Sequence, residues 1–180
     1  MPLPIAHGLV GASLVAAVLP RTSPRRLALA LAAGALLANA ADLDFGLVFA
    51  LHSRAWHRGF THSLAFALFV GVALFVTLGR RRAAKAAAYA LAYASHAVLD
   101  FATTKFGGGV ELLWPFSADR LALGWRGLSE LPSRLPPAEI LRALCLELAL
   151  FAPPLVVLLL LRRRAAARAA EREGRAAQSF

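Results

Sequence analysis

HSLAFALFVGVALFVTL, residues 62–78, decides the fold class, because its seventeen residues include no lysine, arginine, aspartate or glutamate. A helix needs roughly 17–25 predominantly apolar residues to cross the hydrocarbon core of a bilayer. The stretch therefore predicts a membrane-spanning helix. Its flanks differ, since HRGFT (57–61) precedes it and GRRR (79–82) follows it. We expect one end of this helix to be polar and functional and the other end to be basic.

The composition of the whole chain also indicates a membrane protein. Apolar residues make up 59% of its 180 residues, charged residues make up 17%, and the mean hydropathy is +0.62. An average soluble domain is roughly 45–50% apolar and about 25% charged. Five segments suit membrane helices by length and apolar content: residues 3–19, 27–51, 62–78, 83–104 and 142–161. We therefore predict an all-α fold, a polytopic membrane helix bundle of about five transmembrane helices.

These spans divide the chain into a membrane-embedded domain, residues 1–161, and a basic cytoplasmic tail, residues 162–180. The long segment 105–141 contains several Gly, Pro and Trp residues. It is predicted to be an amphipathic loop rather than a span.

The last span has three features of its own. The pair Pro153-Pro154 is expected to kink the helix, because proline removes a backbone hydrogen bond. The single cysteine, Cys145, excludes an intrachain disulfide and is interpreted as a small core residue. Glu147 is expected to pair with a cation such as Arg142 or to lie at the lipid interface.

The basic residues predict the orientation, since Lys and Arg concentrate in cytoplasmic loops. Thirteen of the twenty follow the first, third and fifth spans: Arg21, Arg25, Arg26, Arg80, Arg81, Arg82, Lys85, Arg162, Arg163, Arg164, Arg168, Arg172 and Arg175. The amino terminus is therefore predicted outside and the carboxyl terminus inside. The net charge of +10 reflects this bias and indicates contact with membrane lipids. No recognition motif accompanies the basic residues, so nucleic-acid binding is not expected.

Ionisable side chains form four short blocks in or beside the apolar segments. Such residues are costly in a bilayer and mark functional sites by default. The blocks are His7, the pair Asp42 and Asp44, the segment with His57, Arg58 and His62, and the pair His96 and Asp100. With alternating spans, all four arrive near the same, outer end of the bundle. The geometry therefore allows a shared pocket below the outer membrane interface, although the sequence does not show which helices are neighbours.

The spacing within each block constrains how it could bind a metal ion. His96 and Asp100 are four residues apart, which places them on one helix face. His57 and His62 are five apart, but Gly59 allows a turn between them and Thr61 or Ser63 could cap the helix that follows. Each block alone has an ordinary interpretation as a buried or interfacial polar group.

Asp42 and Asp44 are a special case, because residues two apart diverge by roughly 160° around a regular helix. They can both face one metal ion only if the helix is broken, and Asn39 and Gly46 make a break possible. Otherwise one carboxylate is a ligand and the other supports a ligand or acts as a base. The sequence leaves these alternatives open.

The blocks His7-Gly8, Asp42-Leu43-Asp44, HRGFTHS (57–63) and AYASHAVLDFATT (92–104), followed by Leu113-Trp114-Pro115-Phe116, resemble the LexA-regulated, membrane-bound, metal-dependent hydrolase family of bacterial inner-membrane proteins. The similarity covers about residues 1–125. The family usually reads Pro-Asp-Ile-Asp-His, whereas Ala41 and Phe45 replace its proline and histidine here. The resemblance implies a metal-bearing protein of the bacterial inner membrane. With the orientation predicted from the basic residues, its site faces the extracytoplasmic side.

A hydrolytic mechanism follows as a hypothesis. One or two divalent ions, zinc first with manganese or iron as alternatives, are held by members of a set that comprises His7, Asp42, Asp44, His57, His62, His96 and Asp100. Asp44 accepts the proton of the attacking water, and Arg58 holds an anionic substrate group. Trp114 and Trp125 are predicted interfacial aromatics. A pocket at headgroup depth favours a lipid or lipid-linked phosphoester or ester as substrate.

Two other classes use the same polar blocks. A metal-ion transporter would need a polar route to the cytoplasmic half, and segments 27–37 and 68–78 offer almost no polar residue. A non-catalytic structural or regulatory membrane protein would use the blocks only for helix packing. A measurement of bound metal would distinguish a structural or regulatory protein from a hydrolase or a transporter. The oligomeric state is not indicated by the sequence.

Overall fold

The computed structural model describes residues 2–104, 108–124 and 136–177, and within them the fold is all-helical, as predicted. The described residues form six α-helices, in chain order α1 Pro4–Val18, α2 Pro24–Leu37, α3 Phe45–Leu51, α4 Leu64–Leu78, α5 Ala83–Thr103 and α6 Pro137–Ala177. Short 3-10 turns lie at Ala40–Asp44, Arg54–Trp56, Phe60–His62 and Arg80–Arg82. The described part of the loop after α5 contains one isolated antiparallel bridge, between Val110 and Leu121.

The positions of the helices agree with the predicted segments, but fewer helices are clear membrane spans than the five predicted. Among the described residues, one helix is long and apolar enough to cross a membrane, over Pro137–Arg172. Two bent pairs, α2 with Ala40–Leu51 and Arg54–His62 with α4, raise the number to three if each is one span. α1 is apolar but only 15 residues long. The count of five spans and their orientation therefore stay predictions.

Two predicted segments differ from the helices that form. The predicted span 27–51 is two helices bent by 45°, because the chain leaves the α-helix after Leu37. The last helix is 41 residues long, continues through Pro153 and Pro154, and includes most of the predicted tail. The tail is thus helical to Ala177, and the kink stays a prediction.

Small residues allow α1 and α2 to pack closely in antiparallel directions. A Cβ at Gly11 would lie 2.6 Å from the carbonyl oxygen of Gly34 and 2.5 Å from the Cβ of Ala38. Gly34 in turn lies against Val15, which packs with Ala92 of α5 in the core. Close backbone approach through Gly and Ala is typical of helices that associate within a membrane.

Helix α6 runs parallel to α1 and binds both of its ends. Glu147 Oε1 accepts a hydrogen bond of 2.7 Å from the backbone N–H of Leu3. The Arg162 guanidinium donates to the carbonyls of Ala16, Leu19 and Pro20 at 2.9, 2.6 and 2.9 Å. A carboxylate at a helix amino terminus and a cation at its carboxyl terminus both complement the helix dipole.

Two interpretations of single residues in α6 are corrected. Glu147 is 2% exposed and satisfies the start of α1 rather than facing lipid or pairing with Arg142. Cys145 is exposed and is not a core residue, because the buried stripe of this part of α6 runs through Ala143 and Glu147, positions four residues apart on one helix face.

Candidate metal centre

A break between α2 and α3 brings both aspartates of the second block into one site. The chain forms a 3-10 turn over Ala40–Asp44 before α-helix resumes at Phe45. This turn satisfies the condition that the sequence imposed on Asp42 and Asp44. Oxygens of both carboxylates and a nitrogen of His57 lie within 4.8 Å of one another.

Asp44 anchors the segment that connects to α4. One oxygen bonds His57 Nδ1 at 3.0 Å, and the other accepts from the backbone N–H of Arg58 at 2.9 Å and from Thr61 Oγ1 at 3.0 Å. Arg58 has a φ of 59°, which is uncommon for a residue other than glycine. The contact with Asp44 holds this strained backbone in place. Asp44 itself is 2% exposed.

The sequence offered Thr61 and Ser63 as alternative caps of α4, and the structure gives them different roles. Ser63 caps α4, since its Oγ accepts from the backbone N–H of Phe66 at 3.0 Å. Thr61 instead contacts Asp44 and, at 3.0 Å, His62 Nδ1. It therefore connects the two residues, a function that the sequence pattern did not reveal.

Four ligand-type atoms converge at the centre of the site. Asp42 Oδ1 lies 3.5 Å from His62 Nε2 and 3.4 Å from His96 Nε2. Asp100 Oδ2 lies 3.9 Å from each of these nitrogens. For zinc bonds of about 2.0–2.1 Å, the edges of a tetrahedron are about 3.3–3.4 Å long. The separations of Asp42 Oδ1 from the two nitrogens match such an edge, and those of Asp100 Oδ2 are about 0.5 Å longer.

These four atoms are buried and have no hydrogen-bond partner among the described residues. An unpaired buried polar atom costs roughly 1–3 kcal/mol, and more when it is charged. Several such atoms aimed at one point are therefore a strong indication of a cation. The residues fit a divalent metal ion, with Asp42, His62 and His96 as one group of three candidate ligands. The fourth position of a tetrahedral shell is then open to Asp100 or to water.

Hydrogen bonds at Nδ1 orient the imidazoles of His62 and His96 toward this point. His62 contacts Thr61 Oγ1, as described above. His96 Nδ1 lies 2.6 Å from the carbonyl oxygen of Ala38, which requires Nδ1 to carry the proton. The Nε2 lone pair of His96 is then directed at the centre. The Ala38 carbonyl lies at the end of α2, where helix carbonyls lack intrahelical partners. Such outer contacts fix the tautomer and the ring orientation of metal-binding histidines.

His7 and Arg58 complete the cluster on the side of Asp100. His7 Nε2 lies 3.4 Å from Asp100 Oδ1, and the His7 ring stacks on His96 at 3.9 Å between centroids. Arg58 Nε lies 3.5 Å from Asp100 Oδ2. His7, His96 and Asp100 form a second ligand group that overlaps the first. All predicted site residues therefore converge in space.

The charge of the cluster also favours a cation. It contains three carboxylates, on Asp42, Asp44 and Asp100, and one guanidinium, on Arg58, within the described part of the chain. With neutral imidazoles, the described side chains leave negative charge in a buried setting. Buried charge must be paired or must coordinate a metal ion.

The described part of the loop, residues 108–124, packs over the segment that carries His57 and Arg58. Glu111 N–H donates to the Arg58 carbonyl at 3.0 Å, and Leu64 N–H donates to the Leu112 carbonyl at 3.0 Å. The ring of Trp114 lies 5.8 Å from that of Phe60. Trp114 is thus a contact of the site segment, whereas Trp125, the other predicted interfacial aromatic, lies outside the described residues.

The cluster lies at one end of the bundle, and three groups of basic residues lie at the other. Cavities there are lined jointly by Arg21, Arg81 and Lys85 and by Arg21 and Arg162. We call these the metal-cluster end and the basic end. The sequence predicted this separation of the polar blocks from the basic residues, whereas the number of spans and their orientation in a membrane stay predictions.

Comparison with known proteins defines the family. The chain matches the YdjM inner membrane protein family over residues 1–168, and it belongs to that family. It is also similar to inner membrane protein YbcI of Escherichia coli (strain K12), with 36% identity over 140 residues, which cover 75% of this chain and 80% of the relative. No solved structure matches the chain significantly. The family description agrees with the membrane character predicted from composition.

Proposed function

We propose that this protein is a metal-dependent hydrolase of the inner membrane, with its metal site near the outer membrane interface. The observation that carries the proposal is the convergence of Asp42 Oδ1, His62 Nε2, His96 Nε2 and Asp100 Oδ2, all buried and all without a partner among the described residues. When bound there, a divalent ion supplies an acidified water and a Lewis acid for a carbonyl or phosphoryl oxygen.

The Asp44–His57 pair is suited to move the proton of the attacking water. Asp44 is not a free base, since both of its oxygens accept hydrogen bonds. A carboxylate next to His57 Nδ1 requires that nitrogen to donate, which leaves Nε2 of His57 as the basic atom. His57 also remains partly exposed, at 17% of its side chain. In this arrangement Asp44 positions the base and His57 accepts the proton.

Arg58 is placed to bind an anionic group of the substrate. Its Nε lies 3.5 Å from Asp100 Oδ2 without a geometrically formed hydrogen bond to any described residue. A planar guanidinium recognises phosphate or carboxylate oxygens. This favours a phosphoester as the first substrate class, with an ester or amide as the second.

The surface beside the site favours a lipid or lipid-linked substrate. Phe45 stacks on His57 at 4.1 Å between ring centroids. Leu43, Phe45 and Phe49 are 77%, 41% and 76% exposed. Because Leu43 lies between Asp42 and Asp44, and Phe45 and Phe49 follow them within five residues, an apolar surface borders the partly exposed edge of the site at Asp42 and His57.

The first test is elemental mass spectrometry of the protein purified in mild detergent. We expect near-stoichiometric zinc, manganese or iron in the native protein and its loss in a His57→Ala/His96→Ala variant. His52→Ala is the matched control, since His52 is exposed and lies outside the ligand groups. Absence of metal from the native protein, even after metal is added back, would contradict the proposal and favour a structural role.

A metal-ion transporter is the second candidate, and the distribution of polar residues argues against it. The buried polar and charged side chains that the structure describes all lie toward the metal-cluster end. None of them continues the site toward the basic end within the described segments. Metal uptake into vesicles that contain the purified protein would distinguish transport from hydrolysis of lipid phosphoesters.

A further inference from the structure

We propose that the basic end contains a second, separate site that binds one anionic phospholipid. The site is a cavity of about 750 Å³ between the α1–α2 connection and the start of α5. Five basic residues line it: Arg21, Arg26, Arg81, Arg82 and Lys85. No acidic residue is among the described residues that line it. The proposal does not depend on the hydrolase assignment.

Electrostatics at this cavity are unfavourable without an anion. The positive ends of the α2 and α5 dipoles both lie at its edge, and neither helix has an acidic residue in its first turn. Arg26 and Lys85 occupy those first turns instead, where a cation is disfavoured. Neither N-cap residue, Ser23 or Arg82, makes a side-chain capping hydrogen bond. A phosphate group would relieve this repulsion and accept from several donors.

The remainder of the cavity is apolar, which favours a lipid over a free phosphate. Leu29 and Ala33 line it below the arginines. Together with Leu36 they lie on one face of α2, at spacings of four and three residues. Leu29 and Leu36 are 65% and 74% exposed. This stripe leads from the basic cavity along the bundle and can contact one acyl chain of a bound lipid.

Basic pockets between membrane helices bind the headgroups of anionic lipids. The cavity here adds an aromatic side chain, Tyr89, with Lys85 Nζ positioned 5.4 Å from its ring centroid. Lys85 is thus held at the edge of the cavity rather than extended into solvent. The ligand class is a phospholipid whose headgroup has a net negative charge, such as phosphatidylglycerol.

Native mass spectrometry of the detergent-purified protein tests the proposal with phosphatidylglycerol and phosphatidylcholine of matched chain length. We expect one tightly bound phosphatidylglycerol and at least about tenfold weaker phosphatidylcholine binding. The Arg26→Gln/Arg81→Gln/Arg82→Gln variant should lose about tenfold or more in phosphatidylglycerol affinity. The control Arg168→Gln/Arg172→Gln/Arg175→Gln removes the same charge from the last turns of α6 and should change it less than about twofold.

Three results would overturn the proposal. They are equal binding of the two lipids, equal losses in the two variants, and displacement of the lipid by inorganic phosphate or glycerol 3-phosphate at matched concentration. The last result would identify a free-phosphate site. Thermal unfolding of both variants checks their folding. If the cavity variant unfolds, two measurements on the native protein test the proposal. They are its preference for phosphatidylglycerol over phosphatidylcholine and its weaker binding of a dihexanoyl lipid than of a long-chain lipid.

Discussion

Two aspartates that look alike in the sequence have different environments in the structure. Asp42 Oδ1 faces His62 and His96 and lacks a hydrogen-bond partner among the described residues. Asp44 accepts from His57, Arg58 and Thr61. Under the proposed function, Asp42 is therefore the metal ligand and Asp44 the residue that positions the site.

We predict that Asp42→Ala and Asp44→Ala differ in effect. Asp42→Ala should remove bound metal with little loss of stability in the metal-free protein. Asp44→Ala should destabilise the metal-free protein by about 2–4 kcal/mol, because buried donors at Arg58 and Thr61 lose their partner. It should also weaken metal binding by about 10–100-fold.

Thermal unfolding and metal titration of both variants check this difference, with the exposed Asp119 changed to Ala as the control. If Asp44→Ala lost its metal without a change in the stability of the metal-free protein, the assigned roles would be wrong.

A second prediction concerns His96, whose ring is oriented by the Ala38 carbonyl at the end of α2. His96→Gln keeps a side chain of similar length but cannot present the same nitrogen, so we expect at least a tenfold loss of metal affinity. His52→Gln should leave affinity unchanged, since it lies outside the ligand groups. Titration of the metal-free protein with zinc measures both. Native affinity in His96→Gln would exclude His96 as a ligand.

At the level of helices, glycine positions test the packing of α1 on α2. Gly11→Ala would place a Cβ 2.6 Å from the Gly34 carbonyl oxygen, whereas the nearest atoms to a Cβ at Gly8 are 3.5 Å away. We expect Gly11→Ala to lower the free energy of unfolding by about 1–3 kcal/mol, the usual cost of overpacking. Gly8→Ala should have little effect. Thermal melts in detergent compare the two, and equal stabilities would contradict the close approach.

The contacts of α6 with α1 give another prediction. Arg162→Gln should destabilise the protein by about 1–2 kcal/mol, because three carbonyls near the end of α1 lose a charged donor. Arg163→Gln is the matched control, since no such contact to α1 is described for it. A denaturant or thermal series measures the difference. Similar stability of the two variants would show that Arg162 is not needed to hold α1.

The helices themselves were largely predictable, and their breaks and partners were not. Segments 62–78 and 83–104 are recognisable because uninterrupted apolar or alanine-rich stretches have few other solutions. The break at Ala40–Asp44 was allowed by Asn39 and Gly46 but not required by them. The long α6 could not be predicted, because its basic turns lack the apolar signal by which a span is recognised.

Across the whole molecule, the residues that meet in the candidate site were recognisable in the sequence because ionisable residues are rare in apolar segments. Alternating spans then place them at one end. Two tertiary contacts were not predictable. They are the parallel contact of α1 with α6 and the packing of residues 108–124 on the site. They depend on which helix faces meet, and a single sequence does not encode that in any local pattern.

The final prediction concerns the stability of the whole protein. A metal ion that binds the folded cluster and not the unfolded chain stabilises the fold by about 2.7 kcal/mol at a free concentration of 100 times its dissociation constant. We expect a chelator to lower the melting temperature of the native protein and to leave that of His57→Ala/His96→Ala unchanged. Calorimetry or fluorescence melts measure this. An equal shift in both would indicate an effect of the chelator itself.

The contacts of Glu147 and Arg162 with α1 also impose an order on biosynthesis. The ribosome delivers α1 before α6, so the two ends of α1 stay without these partners until α6 emerges. His7 lies one turn beyond the amino-terminal contact. The cluster therefore reaches its final geometry only after α6 has been synthesised, and metal loading is expected to follow the synthesis of α6.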